Sequence, residues 1–166
     1  KMDEFSLQSH QRLAAAQDAG IFKDELNPVY DRKNHYYSYD SGLRRDTRLE
    51  KLASLKPFFD KSFGLVTAGN SSQVTDGAAF LVLASEKAVQ QYQLPVLARI
   101  VDVVWAGVEP SEMGLGPVHA VSILLKKQQL AFNRIDFWEI NEAFAGQVLA
   151  CLAAWQDIDY CKTQPG

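Results

Sequence analysis

The stretch Phe137-Trp138-Glu139-Ile140-Asn141-Glu142-Ala143-Phe144-Ala145-Gly146 changes its hydrophobic period halfway along, and this strand-into-helix step, repeated in the strand-helix-strand-helix order after Pro95, reads as the α/β class. Ile135 to Ile140 is short, rich in aromatic and branched residues and bounded by polar ones, which reads as a buried strand. Beyond it Phe144, Val148, Cys151/Leu152 and Trp155 recur every three or four residues, predicting a helix from Ala143 to about Trp155 with one wide apolar face. Asn141 then falls at or near the helix N-cap, where two readings stay open. Its side chain can accept a hydrogen bond from a first-turn N–H. Alternatively, a primary amide at the carboxyl end of a strand, beside free helix N–H groups, can orient a water or donate to a developing oxyanion. In open α/β sheets ligands collect at that end of the strands.

Working outward, Pro117 at N1 opens a helix through Leu130 whose Val121, Leu124/Leu125 and Gln128 spacing buries one side. His119 on its first turn reads as structural. Gly107 to Gly116 reads as a loop, and Val96 to Trp105, after Pro95, as a strand. The strand-helix-strand-helix order after Pro95 predicts a right-handed βαβ unit. Glu86 to Gln93 makes a short helix. Ala78 to Ala84 is apolar on both faces, as expected of a strand buried between helix layers. Before it, Thr67 to Gly77 is a turn of small and Asx residues that lets the backbone approach something closely and offer N–H and hydroxyl donors.

Nearer the start, Thr47 and Glu50 have capping-box spacing, and Leu49, Leu52 and Leu55 form an apolar stripe that ends before Pro57. Arg44, Arg45, Arg48, Lys51, Lys56 and Lys61 crowd the same region; the plain reading is a solvated face offset by Asp46, Glu50 and Asp60. Lys23 to Asp40 reads as loop with a short strand at Pro28 to Tyr30. Phe5 to Ala19 is dense in helix formers, with Asp3 as N-cap and Gly20 at C′. His10, between Leu7 and Leu13, reads as a packing or hydrogen-bonding histidine.

At 166 residues, 47% hydrophobic and 22% charged, the prior is one soluble globular domain. A formal net charge of −3 provides no field for nucleic acid or anionic lipid. The longest apolar runs, such as Ala78 to Ala84, are far below the roughly 20 residues of a membrane span. Lys1-Met2-Asp3-Glu4 does not resemble a secretory signal, and the expectation is a cytoplasmic chain. Cys151 and Cys161 are accordingly expected as reduced thiols. No Cys or His cluster has zinc spacing.

Asn141-Glu142-Ala143-Phe144-Ala145 resembles the motif of the thiolase family, and three other stretches stand in that family's order. They are Asp3-Glu4-Phe5 with Ser9-His10-Gln11; Val66-Thr67-Ala68-Gly69-Asn70-Ser71-Ser72 leading into Asp76-Gly77-Ala78-Ala79; and Met113-Gly114-Leu115-Gly116-Pro117. The resemblance runs to about Ala150 and is closest to the acetyl-CoA acyltransferases of fatty-acid oxidation; the tail after it matches poorly. It implies a layered α/β/α thiolase-like fold, incomplete, with a loop-domain portion at 1–62, the last segment of the N-terminal core domain at 63–94 and the first part of the C-terminal core domain at 95–166. It further implies coenzyme A or acyl-CoA as substrate, no covalently bound cofactor and no metal. Asn141 would hold the water or oxyanion. Arg44 would contact phosphate, for which its planar fork suits it. Phe59 would pack on the cofactor-like moiety, Ala68 and Ser72 would touch the pantetheine arm, and Met113, Ala143 and Phe144 would complete the CoA contacts.

Thiolase chemistry takes a nucleophilic Cys, a His that activates it and a second Cys that moves the proton at the α-carbon. None of those three motifs occurs here. Cys151, among Leu149, Leu152 and Trp155, reads as an inert small hydrophobe with a raised pKa. Cys161 has no His near it in sequence. The expectation is therefore a fragment, a truncation or one piece of a split thiolase, partnered as a homo-oligomer or by a complementing thiolase chain, since partial sheets leave exposed edges and apolar faces. Two further readings stand beside it: a CoA-binding module without catalysis, and a structural or interaction subunit that pairs through its tyrosine-rich loop.

Overall fold

Helix α1, Met2–Asp18, opens a computed structural model that describes residues 1–163. It starts earlier than its apolar pattern suggests, because Asp3 is not the N-cap: Lys1 is, and Asp3 and Glu4 lie inside the first turn, where acidic groups complement the helix dipole. Its end follows the expectation. Gly20 adopts φ +68°, its N–H bonds Gln17 O at 3.0 Å and the Ile21 N–H bonds Ala16 O at 3.1 Å, a Schellman closure that favours glycine at C′. Strands β1, Val29–Tyr30, and β2, Tyr36–Tyr37, then pair antiparallel as a hairpin, with Asp31 accepting from the N–H groups of Lys33 and His35 to shape its turn.

Helix α2 is only Leu49–Ala53, and its N-cap, Arg48, supplies no side-chain bond. The Thr47–Glu50 capping box does not form: the Thr47 N–H turns back to Arg44 O at 3.2 Å, which leaves Thr47 in the preceding turn. Of the leucine stripe, Leu52 is buried while Leu49 and Leu55 remain partly exposed.

The residues group into two compact units. The first comprises Lys1–Gln73 with Ile140–Ala153, and so holds α1, the hairpin, α2 and most of helix α5, Ala145–Gln156. Its buried residues are Ser6, Leu52, Thr67, Asn70, Ala145, Val148 and Cys151. The last three repeat at helical spacing, so the apolar face predicted for α5 is the face that is covered.

The second unit begins at Val74, runs to Glu139 and resumes at Ala154. Helix α3, Glu86–Tyr92, is capped by Ser85, whose Oγ accepts from the Ala88 N–H at 3.2 Å. A 3-10 turn over Pro110–Leu115, predicted as loop, leads into α4, Gly116–Lys127, with Pro117 in its first turn and Val118 fully buried. Phe132, Trp138 and Trp155 form an aromatic cluster with centroid separations of 4.6 and 5.6 Å. Helix α6 is Ile158–Thr163.

The predicted strands Ala78–Ala84, Val96–Trp105 and Ile135–Ile140 are corrected in one respect. None has a ladder partner among the described residues, and the only sheet there is the β1–β2 hairpin. Nor are they buried: Phe80, Leu81 and Val82 are about nine-tenths exposed, and Phe137 is 89% exposed. Pairing is non-local, and no described stretch supplies the other edge. Strand character survives in the side-chain pattern. From residue 101 to 106 burial alternates, with Val101, Val103 and Trp105 exposed and Asp102, Val104 and Ala106 partly covered. Asp102 fastens this segment to the end of α4 by accepting from Lys127 Nζ at 2.8 Å and from the Gln128 side chain, and these donors, Lys127 foremost, hold its carboxyl below the usual range.

Candidate functional site

The turn from Thr67 to Gln73 is built around one buried amide. Asn70, 3% exposed, accepts from the Thr67 N–H at 2.9 Å and donates to Leu65 O and to Asp3 Oδ1, each at 3.0 Å. Ser71 Oγ donates to Thr67 O at 2.7 Å, and the Gly69 N–H to Thr67 Oγ1 at 3.2 Å. A Cβ at 69 would lie 2.5 Å from Leu52 Cδ2 and 2.6 Å from Leu55 Cδ1, so the ends of those two side chains would have to shift to admit one. The local Asx and hydroxyl bonds predicted from composition are thus present, and packing against α2 adds a constraint of its own.

This turn meets the Asn141 corner. Ser71 and Phe144 form an isolated antiparallel bridge, in which the Ser72 N–H donates to Ala143 O at 2.8 Å and the Ala145 N–H to Asn70 O at 2.9 Å. The bridge occupies residues 143 to 145, so α5 begins at Ala145, and the Val148 N–H bonds Phe144 O at 3.2 Å. Asn141 is therefore not the N-cap. Its exposed side chain makes no hydrogen bond among the described residues.

Helix α1 holds three site loops from one polar edge. Asp3 takes the Asn70 amide; Ser9 Oγ donates to Glu142 Oε2 at 2.5 Å; and His10 Nδ1 accepts the Arg44 backbone N–H at 3.3 Å. Positions 3, 6, 9 and 10 share a helix face. Sequence reasoning anticipated a hydrogen-bonding His10 and missed Asp3, Ser9, Asn70 and Glu142 as a frame; the three-residue polar spacing in α1 was the available signal.

Arg44, Ala68, Ser72, Asn141, Ala143 and Phe144 therefore belong to one unit and to loops tied to one another. Arg44 is exposed and its guanidinium has no hydrogen-bonded partner among the described residues, whereas nearby Arg45 forks onto Asp18 at 2.8 and 3.0 Å, lowering the Asp18 pKa, and Lys51 pairs with Asp46. Gln73 Nε2 donates to Gly42 O at 2.7 Å, which ties the loop before Arg44 to the turn. Phe58 and Phe59 are not core: both are more than 70% exposed and meet edge to face at 5.1 Å, with the Phe58 N–H on Val66 O. The reason is that α2 buries only Leu52 before Pro57 turns the chain away. Ala68 and Ser72 are exposed and Ala143 and Phe144 half-buried. Met113, on the 3-10 turn of the second unit, is 60% exposed. An amide, a hydroxyl and a guanidinium with open donor capacity suit a ligand bearing carbonyl and phosphate oxygens.

The two thiols lie in different surroundings. Cys151 is fully buried on α5, and burial pushes its pKa up from 9.0, against a smaller opposing effect of Gln147. Cys161 Sγ donates to Ala154 O at 3.2 Å in the second unit. Among the described residues no group of His, Cys, Asp or Glu could hold a metal ion, and no helix is long and apolar enough to cross a membrane.

Residues 1–87 match the thiolase N-terminal domain family and residues 94–164 the thiolase C-terminal domain family. The chain is 45% identical over 160 residues to 3-ketoacyl-CoA thiolase B, peroxisomal, of Rattus norvegicus, covering 92% of this chain and 38% of that protein. It is likewise 45% identical over 164 residues to the mitochondrial 3-ketoacyl-CoA thiolase of Homo sapiens, covering 97% of this chain and 41% of that one. Among solved structures, the dimeric peroxisomal thiolase of Saccharomyces cerevisiae superposes with a TM-score of 0.88 at 39% identity, over 96% of this chain and 41% of its own. The human mitochondrial 3-ketoacyl-CoA thiolase in complex with CoA gives 0.87 at 46% identity, over 96% and 40%. The chain spans about two fifths of the length of these relatives. The superpositions establish a partial thiolase-like α/β fold. With both domain families matched in order along its length, the chain belongs to the thiolase family.

Proposed function

We propose that this chain supplies the coenzyme A contacts and the water- or oxyanion-binding amide of an acyl-CoA C-acyltransferase, which cleaves 3-ketoacyl-CoA by thiolysis or condenses acetyl-CoA. The observation that carries the proposal is the Ser71–Phe144 bridge, which joins the serine-rich turn to the Asn141 corner. In this reading the Asn141 amide donates to a thioester oxygen as charge develops there, directly or through one water. Ser72 and Ala68 line the pantetheine arm, Arg44 takes phosphate, Phe59 packs on the cofactor, and Met113, Ala143 and Phe144 complete the contacts. The burial of Cys151 favours a nucleophile supplied from outside these residues, by the rest of a longer chain or by a complementing one. The domain partition at 62/63 and 94/95 belongs to the same proposal, as does an oligomeric assembly, for which the dimeric yeast relative and the exposed apolar segments speak.

Asn141→Ala in the complete enzyme is expected to lower kcat on the order of 100-fold, the scale of losing one oxyanion donor. Unchanged turnover would remove Asn141 from the site. The Cys151 environment also favours a second reading, a CoA-binding module without catalysis. Calorimetry of this chain with CoA separates the two from a purely structural role: heat of binding without thiolysis fits the module, and no binding leaves neither.

A further inference from the structure

The Ser71–Phe144 bridge fixes residues 143 to 145, but it stops short of Asn141. Ile140, Asn141 and Glu142 make no backbone hydrogen bond among the described residues, and their only side-chain bond is Ser9 Oγ to Glu142 Oε2 at 2.5 Å. It is a charge-assisted bond, a hydroxyl donating to a carboxylate, made at the solvent-exposed surface. It reaches across 133 positions of sequence to a helix whose same edge already anchors Asn70 through Asp3 and the Arg44 loop through His10. This tie thus ends one residue from the exposed Asn141 amide, which makes no hydrogen bond of its own among the described residues.

We infer that Ser9 and Glu142 are positioning residues for Asn141: the serine on α1 holds the glutamate, and the glutamate sets the direction in which the adjacent amide points. The inference rests on the proposed role of Asn141 and deepens it. Neither Ser9 nor Glu142 touches the ligand in this scheme. Releasing the clamp lets residues 140 to 142 swing, and a misplacement of about 1 Å in a donor costs up to roughly 100-fold in rate.

The test is a double-mutant cycle in the complete enzyme, with a spectroscopic arm on this chain. Ser9→Ala is expected to lower kcat about tenfold or more with KM little changed, Glu142→Ala to do the same, and Ser9→Thr, which keeps the hydroxyl, to restore most of the rate. In an Asn141→Ala background Ser9→Ala is expected to cost nothing further. Equal losses in both backgrounds, or no loss from either clamp substitution, would overturn the inference. In the second arm, asparagine-selective 15N labelling follows the Asn141 side-chain amide, which is expected to lose order in Ser9→Ala and Glu142→Gln while the buried Asn70 amide does not. An unmoved Asn141 signal would overturn the clamp whatever the kinetics show. If Asn141→Ala leaves turnover unchanged, the functional reading fails on its own, and the order of the Asn141 amide still decides whether the clamp exists.

Discussion

Asn70→Ala tests the turn that the site is built on. The side chain is 3% exposed and makes three hydrogen bonds, one accepted from the Thr67 N–H and two donated to Leu65 O and Asp3 Oδ1. The three losses are unequal. Thr67 is buried, so its N–H is left without a partner at about 1–3 kcal/mol, whereas Leu65 is exposed and Asp3 half-buried, so water replaces those bonds at about 0.5–1 kcal/mol each. The sum is about 3 kcal/mol, concentrated where the turn meets α5. Hydrogen exchange reads it locally: the Ala145 N–H, which donates to Asn70 O at 2.9 Å, is expected to lose about 150-fold in protection, since 1.36 kcal/mol is one decade. The Val89 N–H, bonded to Ser85 O in the second unit, serves as control. Undiminished protection at Ala145 would refute the assignment of Asn70 as the turn's anchor. Equal losses at both amides would show a global effect and refute the local bookkeeping.

Three other outcomes are expected. Gly69→Ala sets a methyl against Leu52 and Leu55 and should cost about 1–3 kcal/mol in urea unfolding; Leu52→Ala, costing about 2–5 kcal/mol alone, makes room, so the double substitution should cost less than the sum. Iodoacetamide mapping by mass spectrometry should modify the exposed Cys161 well before Cys151, whose folded-state pKa lies above its ordinary 9.0; that shift also makes folding stability fall as pH rises beyond that value, because the unfolded chain releases the proton first. Asp102 has the opposite sign: its carboxyl is held below 3.8, so its contribution is present above that pH and is lost as pH falls through the folded-state value, and Asp102→Asn should destabilise at neutral pH but differ little from the parent in strong acid.

Local signals in the sequence translated well where the chain decides its own geometry. Gly20 closes α1, the short helix expected at Glu86 to Gln93 forms as α3, and Pro117 starts α4, each through a backbone preference or a bond within a few residues. The turn at 67–73 was legible for the same reason. What failed depends on distant partners. Asn141 occupies an N-cap-like place in sequence, yet the bridge to Ser71 moves the helix start to Ala145. Thr47 and Glu50 have the right spacing, but the turn from Arg44 claims the Thr47 N–H. The strand segments carry the right residues and, at 101–106, the right alternation, but a strand's burial is conferred by its neighbours, which apolar content alone does not specify. Of the candidate site, the residues proposed to meet a ligand were named by resemblance. The frame of Asp3, Ser9, Asn70 and Glu142 was only half legible: the polar spacing of α1 marks an edge, but a contact across 133 positions does not name its partner in sequence.

The aromatic cluster of Phe132, Trp138 and Trp155 has a practical corollary for optical work. Together with the exposed Trp105, it places every indole of the chain in the second unit, while the first carries Tyr30, Tyr36, Tyr37 and Tyr39. Emission excited at indole wavelengths therefore reports on the second unit and, through Trp155, on the last turn of α5, whereas no indole lies within the first unit. Phenol emission, or a dye on the hairpin, is therefore the channel that reports on the first unit by itself.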